Sequence, residues 1–445
     1  MRCKNRHLYW LFLIFPMVAA SAWAQDRKSE SGIRSFPGAE GYGAVTPGGR
    51  GGRVIKVTNL NPVGPGSLQE AVSAEGPRIV VFEVSGVIQG PVEIKHGQIS
   101  IMGQTAPGAG ITIRGPLTTR PGPELRDIVV RFLRVRPRPH TGWNQDAVTF
   151  DDVAHCILDH ISCSWGSDEN MGLYNARDIT VQWCALEESD PIGYPDGRAH
   201  NVGLLSGPGG TRISIHHNLF AHHRRRCPAV ANGPTDIRNN VFYNFRDGLS
   251  HEGHRPNNLG FNVIGNYYKR GPSDPQIFPF CFVEGVSYYL RDNYIDSIGV
   301  IQNPWAEVDK LSGLKRYAAW GVRAEREYPV APVTTQEPEE AYKLVLAGAG
   351  CFPRDEVSLR TVKEVASGQG SWGRHEPADG LMAGLAVQAP PADQDSDGMP
   401  DVWERANGLD PEYYSDHDRI MQSGYTAIEE YCNMLAQILL AGADR

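Results

Sequence analysis

The segment Asp393-Gln394-Asp395-Ser396-Asp397-Gly398, followed by Asp401 and Glu404, puts carboxylates at positions 1, 3, 5, 9 and 12 of a loop whose sixth residue is glycine. Calcium takes six or more oxygen ligands, and this register can fold five acidic side chains around one point. Asp393, Asp395, Asp397, Asp401 and Glu404 are therefore the expected ligands of a structural calcium ion. Asp416 and Asp418 nearby have no matching glycine and glutamate and are assigned to no site.

A second constellation is basic. Arg198, His200, Arg212, His216, His217, His222, His223, Arg224, Arg225 and Arg226 crowd into 29 residues. Singly, each reads as a solvated arginine or a satisfied histidine. Together, in a chain of formal charge -8, they favour binding of a polyanion. Their acidic counterpart is Asp146, then Asp151-Asp152, then Asp168-Glu169. Asp146 and Asp168 stand 22 residues apart, a spacing that can stack two side chains on adjacent turns of a repeat and let them share a hard cation.

Positioning such groups requires a repeating scaffold, and the chain carries one. Short β-branched runs recur at Ile157, Ile179, Ile213, Ile237, Val263 and Tyr289, with starts 22 to 34 residues apart. Several end in asparagine, at Asn218, Asn240, Asn266 and Asn293. Long repeat spacing without Asn-Gly hairpins predicts an all-β solenoid, a right-handed parallel β-helix, rather than a sandwich. The asparagines are expected to form hydrogen-bonded ladders at the bends. Residues 66–72 read as a short Ser-capped helix suited to closing the first coil. Pro338 to Ala347 and Asp355 to Ala366 read as helices, the second with Asp355 as its N-cap.

The first 24 residues read as a signal peptide, with basic Arg2, Lys4 and Arg6, an apolar stretch from Leu8 to Ala20, and Ala22-Trp23-Ala24 before Gln25. Secretion or a periplasmic location is expected, with no membrane span after cleavage. Removing three positive charges moves the formal charge from -8 to about -11, so an acidic ligand needs a local basic patch or bound cations. The remaining cysteines, at 156, 163, 184, 227, 281, 351 and 432, match neither a disulfide framework nor a zinc pattern, and are expected to be small buried residues. The expected division is a β-helix domain over 25–373, a Gly-, Ala- and Pro-rich linker over 374–392, and a calcium-loop tail over 393–445.

These residues resemble the family 1 pectate lyases, in the form common among secreted bacterial polysaccharide-degrading enzymes. The resemblance covers most of residues 35 to 370. It rests on Phe36-Pro37-Gly38-Ala39-Glu40-Gly41-Tyr42-Gly43, on Gly64-Pro65-Gly66-Ser67-Leu68, on Phe82-Glu83-Val84-Ser85-Gly86-Val87-Ile88, on Asp159-His160-Ile161-Ser162, and on His217-Asn218 with Arg226-Cys227-Pro228. It implies calcium-dependent β-elimination of an acidic galacturonan, with Arg226 as the catalytic arginine and Asp146, Asp168 and Glu169 at the catalytic calcium. Arg198, His200 and His223 are the expected substrate contacts. Where the family commonly has a second arginine, this chain has Ala231. A monomer acting on acidic polysaccharide is expected, with no nucleic-acid partner. Two other functions fit the same scaffold: a non-catalytic β-helix that binds acidic glycan, and a glycoside hydrolase, for which Asp151-Asp152 is the one adjacent acidic pair near the groove.

Overall fold

The short β-branched runs fold as strands that pair in parallel with the equivalent strand one coil away. The structure is a computed structural model, and it describes residues 32–139, 144–193, 196–251, 257, 259–283, 285–296, 298–301, 305 and 322–442. Residues 1–24, expected to be a signal peptide, lie outside these. A complete coil contributes one strand to each of three sheets, as in Glu169–Gly172, Arg177–Gln182 and Ala185–Glu187, and among the described residues the coils at the ends of the solenoid lack the third. The sheet containing Arg177–Gln182 has eleven strands, that containing Ala185–Glu187 ten, and that containing Glu169–Gly172 six. This is the expected parallel β-helix, with one antiparallel pair, Asn293–Ile295 with Gly299–Ile301, near its far end.

Register places like on like. Val130, Leu158, Val181, Ile215, Ile237, Val263 and Leu290 pair in succession along the eleven-stranded sheet. All seven belong to one continuous core. Stacking every strand between two neighbours satisfies the backbone ladder and leaves edges only at the ends. At the bend into the ten-stranded sheet the expected ladder forms: Asn218 donates to Asn240, Asn240 to Asn266, and Asn266 to Asn293, each at 3.0 Å. The residue before each ladder position has positive φ, as at His160, Trp183, His217 and Asn239. That shared turn conformation stacks Phe132, His160, Trp183 and His217 on one another outside the ladder. His217 is thereby a structural residue, as is His216, which is buried against it with the two rings edge to face.

Helix Leu68–Ser73 closes the first coil. The Ser67 hydroxyl caps it by accepting from the Glu70 amide, and buried Arg78 donates to the carbonyls of Ala71 and Val72 at its other end. The glycine-rich opening lies so close to the eleven-stranded sheet that a Cβ on Gly43 would collide with the Cys156 carbonyl. Helices Pro338–Gly348 and Glu356–Ser367 cover the ten-stranded sheet through Val345 and Val365. Asp355 caps the second, as expected, accepting from the Ser358 amide at 3.0 Å.

Residues Arg34–Arg445 form one compact unit. Within it, 374–392 runs along the solenoid, pairing Glu376 with Arg114 and packing Leu381 near Trp165. From Met399 to Cys432 the tail packs on Val54, Ile79, Val81 and Met102 of the first coils. Arg50 with Glu429 and Lys56 with Asp393 add ion pairs across that contact. The seven cysteines among the described residues are all buried.

Candidate active site

Strand register on the six-stranded sheet brings the acidic residues together. Val148 pairs with Met171, which sets Asp146 opposite Glu169, and the Glu169 amide donates to Asp146 Oδ1 at 3.0 Å. Asp168 completes the group, with one oxygen of each of the three residues within 4.8 Å of the others. Gly172 leaves room for the Asp146 carboxylate, which a Cβ there would strike. Burial, and then the charges of Asp168 and Asp151, hold the Asp146 carboxyl well above the usual range. Three converging, largely buried carboxylates are the donor set that a hard cation takes, and they fit calcium.

Arg226 reaches this pocket from farther along the solenoid. Its backbone has positive φ, and its carbonyl accepts from the Leu204 amide at 2.8 Å. Its guanidinium pairs with Glu169 and lies 3.8 Å from Asp168, while His200 Nδ1 is 3.5 Å from the same Asp168 oxygen. Cation pocket, arginine and imidazole therefore share one rim. Arg198, Ala199, His200, Arg224 and Arg225 line a cavity of about 460 Å³ there.

The rest of the basic cluster disperses because strand and bend positions face different ways. His223, expected to touch substrate, needs correction. It is fully buried, with Nε2 on the Leu186 carbonyl and Nδ1 against Ser189 Oγ, and burial pushes its pKa down to about 4. It is a neutral histidine behind the groove wall. His222 is buried beside Asn244 and Glu364, and Arg212 pairs with Asp178 on the eleven-stranded sheet side. Asp151 and Asp152 hold the next coil's turn by accepting from the Tyr174 amide and the Asn175 side chain. That leaves them fastened to the scaffold, which is no arrangement for an acid-base pair.

The wall behind the rim is held by a buried charge network that the sequence did not announce. Fully buried Arg136 pairs with Glu187 at 2.7 Å and with Asp355 at 2.9 Å, and next to Glu187, Glu188 takes both a 2.8 Å and a 2.7 Å hydrogen bond from Arg360. Helix Glu356–Ser367 is thus anchored to the strand that leads into the groove loop.

The tail loop is a separate cluster. Asp395, Asp397 and Glu404 converge as expected, but Asp393 and Asp401 do not join them. Asp393 instead accepts from the Ser396 and Gly398 amides, and Asp401 from the Gln394 amide. The fourth member is Asp416, left out on sequence grounds because its approach depends on tertiary packing. Asp395 Oδ2, Asp397 Oδ2, both Glu404 oxygens and Asp416 Oδ1 are buried with no hydrogen-bond donor. Burial and neighbouring carboxylates push Asp397 up to about 8 and Glu404 to about 7. Such orphaned oxygens fit calcium.

Fold and rim define a parallel β-helix protein with a cluster of three carboxylates and an arginine on its six-stranded face. "Probable pectate lyase C" of Aspergillus fumigatus is 33% identical over 439 residues, 94% of this chain and 97% of its own. Its namesake in Aspergillus flavus is 35% identical over 416 residues, 91% and 94% of the two chains. The chain belongs to the pectate lyase family. These relatives are fungal, so the bacterial form suggested by the sequence motifs gains no support from them. No protein-family model matches the chain. A solved pectate lyase of Bacillus sp. N165, in complex with trigalacturonate, covers 70% of this chain and 98% of its own at 17% identity and a TM-score of 0.47, so the family assignment rests on the sequence relatives.

Proposed function

We propose that this chain is a secreted lyase that cleaves pectate-type galacturonan by calcium-assisted β-elimination. The observation that carries the reading is the meeting of Asp146, Asp168 and Glu169 with Arg226, next to His200 of a basic cavity. Asp146, Asp168 and Glu169 would hold calcium. Bound there, the ion would neutralise a uronate carboxylate and acidify the neighbouring C5–H. Arg226 either accepts the C5 proton or stabilises the negative charge developing beside it. A guanidinium is a poor base, so charge stabilisation is the role its chemistry favours. The C5 proton passes to the His200 imidazole on the same rim, or to Arg226 if its guanidinium is neutral; the C5–H electrons form the C4=C5 double bond as the C4–O bond breaks, and the departing oxygen keeps that bond's electrons and takes a proton from water. His200, Arg198, Arg224 and Arg225 supply positive or polar contacts for neighbouring carboxylates.

The division into 25–373, 374–392 and 393–445, a monomeric state, export through residues 1–24 and a structural calcium ion in the tail belong to the same reading. Among the described residues no helix is long and apolar enough to cross a membrane. The test is product chemistry on polygalacturonate with calcium and with chelator. Ultraviolet-absorbing unsaturated products that vanish on chelation are expected. Saturated reducing ends would establish a hydrolase instead, and binding without products a glycan-binding protein.

A further inference from the structure

We infer that the ring of Tyr174 is a stacking platform for one uronic acid residue of the polysaccharide, a binding subsite flanking the carboxylate pocket; this rests on the function proposed above. Met171 and Leu173 point into the core and are fully buried. Gly172 between them faces outward, where a Cβ would strike the Asp146 carboxylate, and Tyr174 follows in the turn with its ring against Gly207 of the next coil. Tyr174 lies two residues past the end of the strand, in the turn, and is 42% exposed although Leu173 before it is buried.

The ring is held in place. Its amide donates to Asp151 Oδ1 at 2.8 Å. One coil on, the register that pairs Gly172 with Leu205 sets Gly207 opposite Tyr174, and a Cβ on Gly207 would run into the ring. The missing side chain lets the tyrosine lie over the next coil. Its phenol is within electrostatic reach of the carboxylates of Asp168, Asp146 and Asp151. An uncharged aromatic surface among carboxylates suits the C–H face of a sugar whose own carboxylate must turn toward calcium and arginine. Tyrosine offers such contact area at low conformational cost and keeps a polar tip for water.

The test compares wild type, Tyr174→Phe and Tyr174→Ala, as full chains in saturating calcium, on polygalacturonate and on tetra- to hexagalacturonate. Affinity for hexagalacturonate is measured in parallel by calorimetry. Tyr174→Ala should raise KM and Kd roughly tenfold with kcat within about twofold, and Tyr174→Phe should match wild type within about twofold. Thermal midpoint and calcium half-saturation should not move. Unchanged KM and Kd in Tyr174→Ala would overturn the inference. So would equal losses in both variants, which would assign the effect to the hydroxyl, or a shift in calcium half-saturation, which would assign it to the metal pocket. If wild type makes no unsaturated product the lyase reading fails, yet weaker hexagalacturonate binding by Tyr174→Ala would still support the platform. Absence of binding by wild type would overturn both.

Discussion

Arg226 sits against Glu169 and Asp168, so any cation that enters the pocket must share those carboxylates with its guanidinium. If Arg226 acts on charge that develops only in the transition state, Arg226→Ala should lower kcat about 10²- to 10³-fold with little change in KM. Arg226→Lys keeps the charge but loses the planar fork, and should fail similarly. Calcium should bind Arg226→Ala no more weakly than wild type, because a competing positive charge has gone. Steady-state kinetics and a calcium titration of the folded variants check all three statements. Arg224→Ala and Arg225→Ala, whose parent residues line the cavity, should instead raise KM, each by roughly tenfold or less. A kcat collapse in either, with Arg226→Ala near wild type, would show that another arginine of the run does the chemistry. Coil spacing made the approach of Asp146 and Asp168 readable, and Glu169 entered through the family resemblance. His223 was misjudged because neighbouring residues of a run leave the backbone in different directions, and a string of basic letters does not show which of them face the groove.

Coil-to-coil stacking makes the bends as important as the strands. Asn240 donates to the Ile215 carbonyl at 2.8 Å and to Asn266, and it accepts from the Asn218 amide and side chain. Asn240→Ala would strand several buried partners at about 1–3 kcal/mol each, so a large fall in thermal midpoint is expected. A midpoint within a degree of wild type would mean that the ladder contributes little. At the same bend Asp159 is buried against His160, Arg131 and Gln182. Burial alone would raise its pKa, but His160 and then Arg131 outweigh that and hold it far below the usual carboxylate range. With the folded pKa below the unfolded value near 4, its stabilisation is present above about pH 4 and is lost as pH falls further. Melting wild type and Asp159→Asn from pH 3 to 7 should show a flatter acid limb in the variant. The asparagine positions were legible because the ladder needs the same residue type once per coil. The aromatic stack at Phe132, His160, Trp183 and His217 was not, since it follows from a turn conformation that four different side chains share.

For the whole molecule, the tail is the least predictable part. Its loop motif was plain in the sequence, yet Asp416 replaces two of the expected ligands and the apolar residues around it cover the outside of the first coils. Calcium removal should therefore loosen more than the loop. A chain deleted after residue 392 would bare Val54, Ile79, Val81 and Met102, so it should bind hydrophobic dye and melt earlier. Turnover per folded molecule should survive, because this contact lies on the eleven-stranded sheet and the carboxylate pocket on the six-stranded one. Loss of turnover in a deletion variant shown to be folded would place the tail in the catalytic machinery. The seven interior thiols have a different consequence. Shielded in the core, they are expected to serve as packing rather than as cross-links, so the chain should reach the same final state in a reducing cytosol as outside the cell. Reductant should leave its melting temperature and turnover untouched, while thiol-blocking reagents should react only once it unfolds.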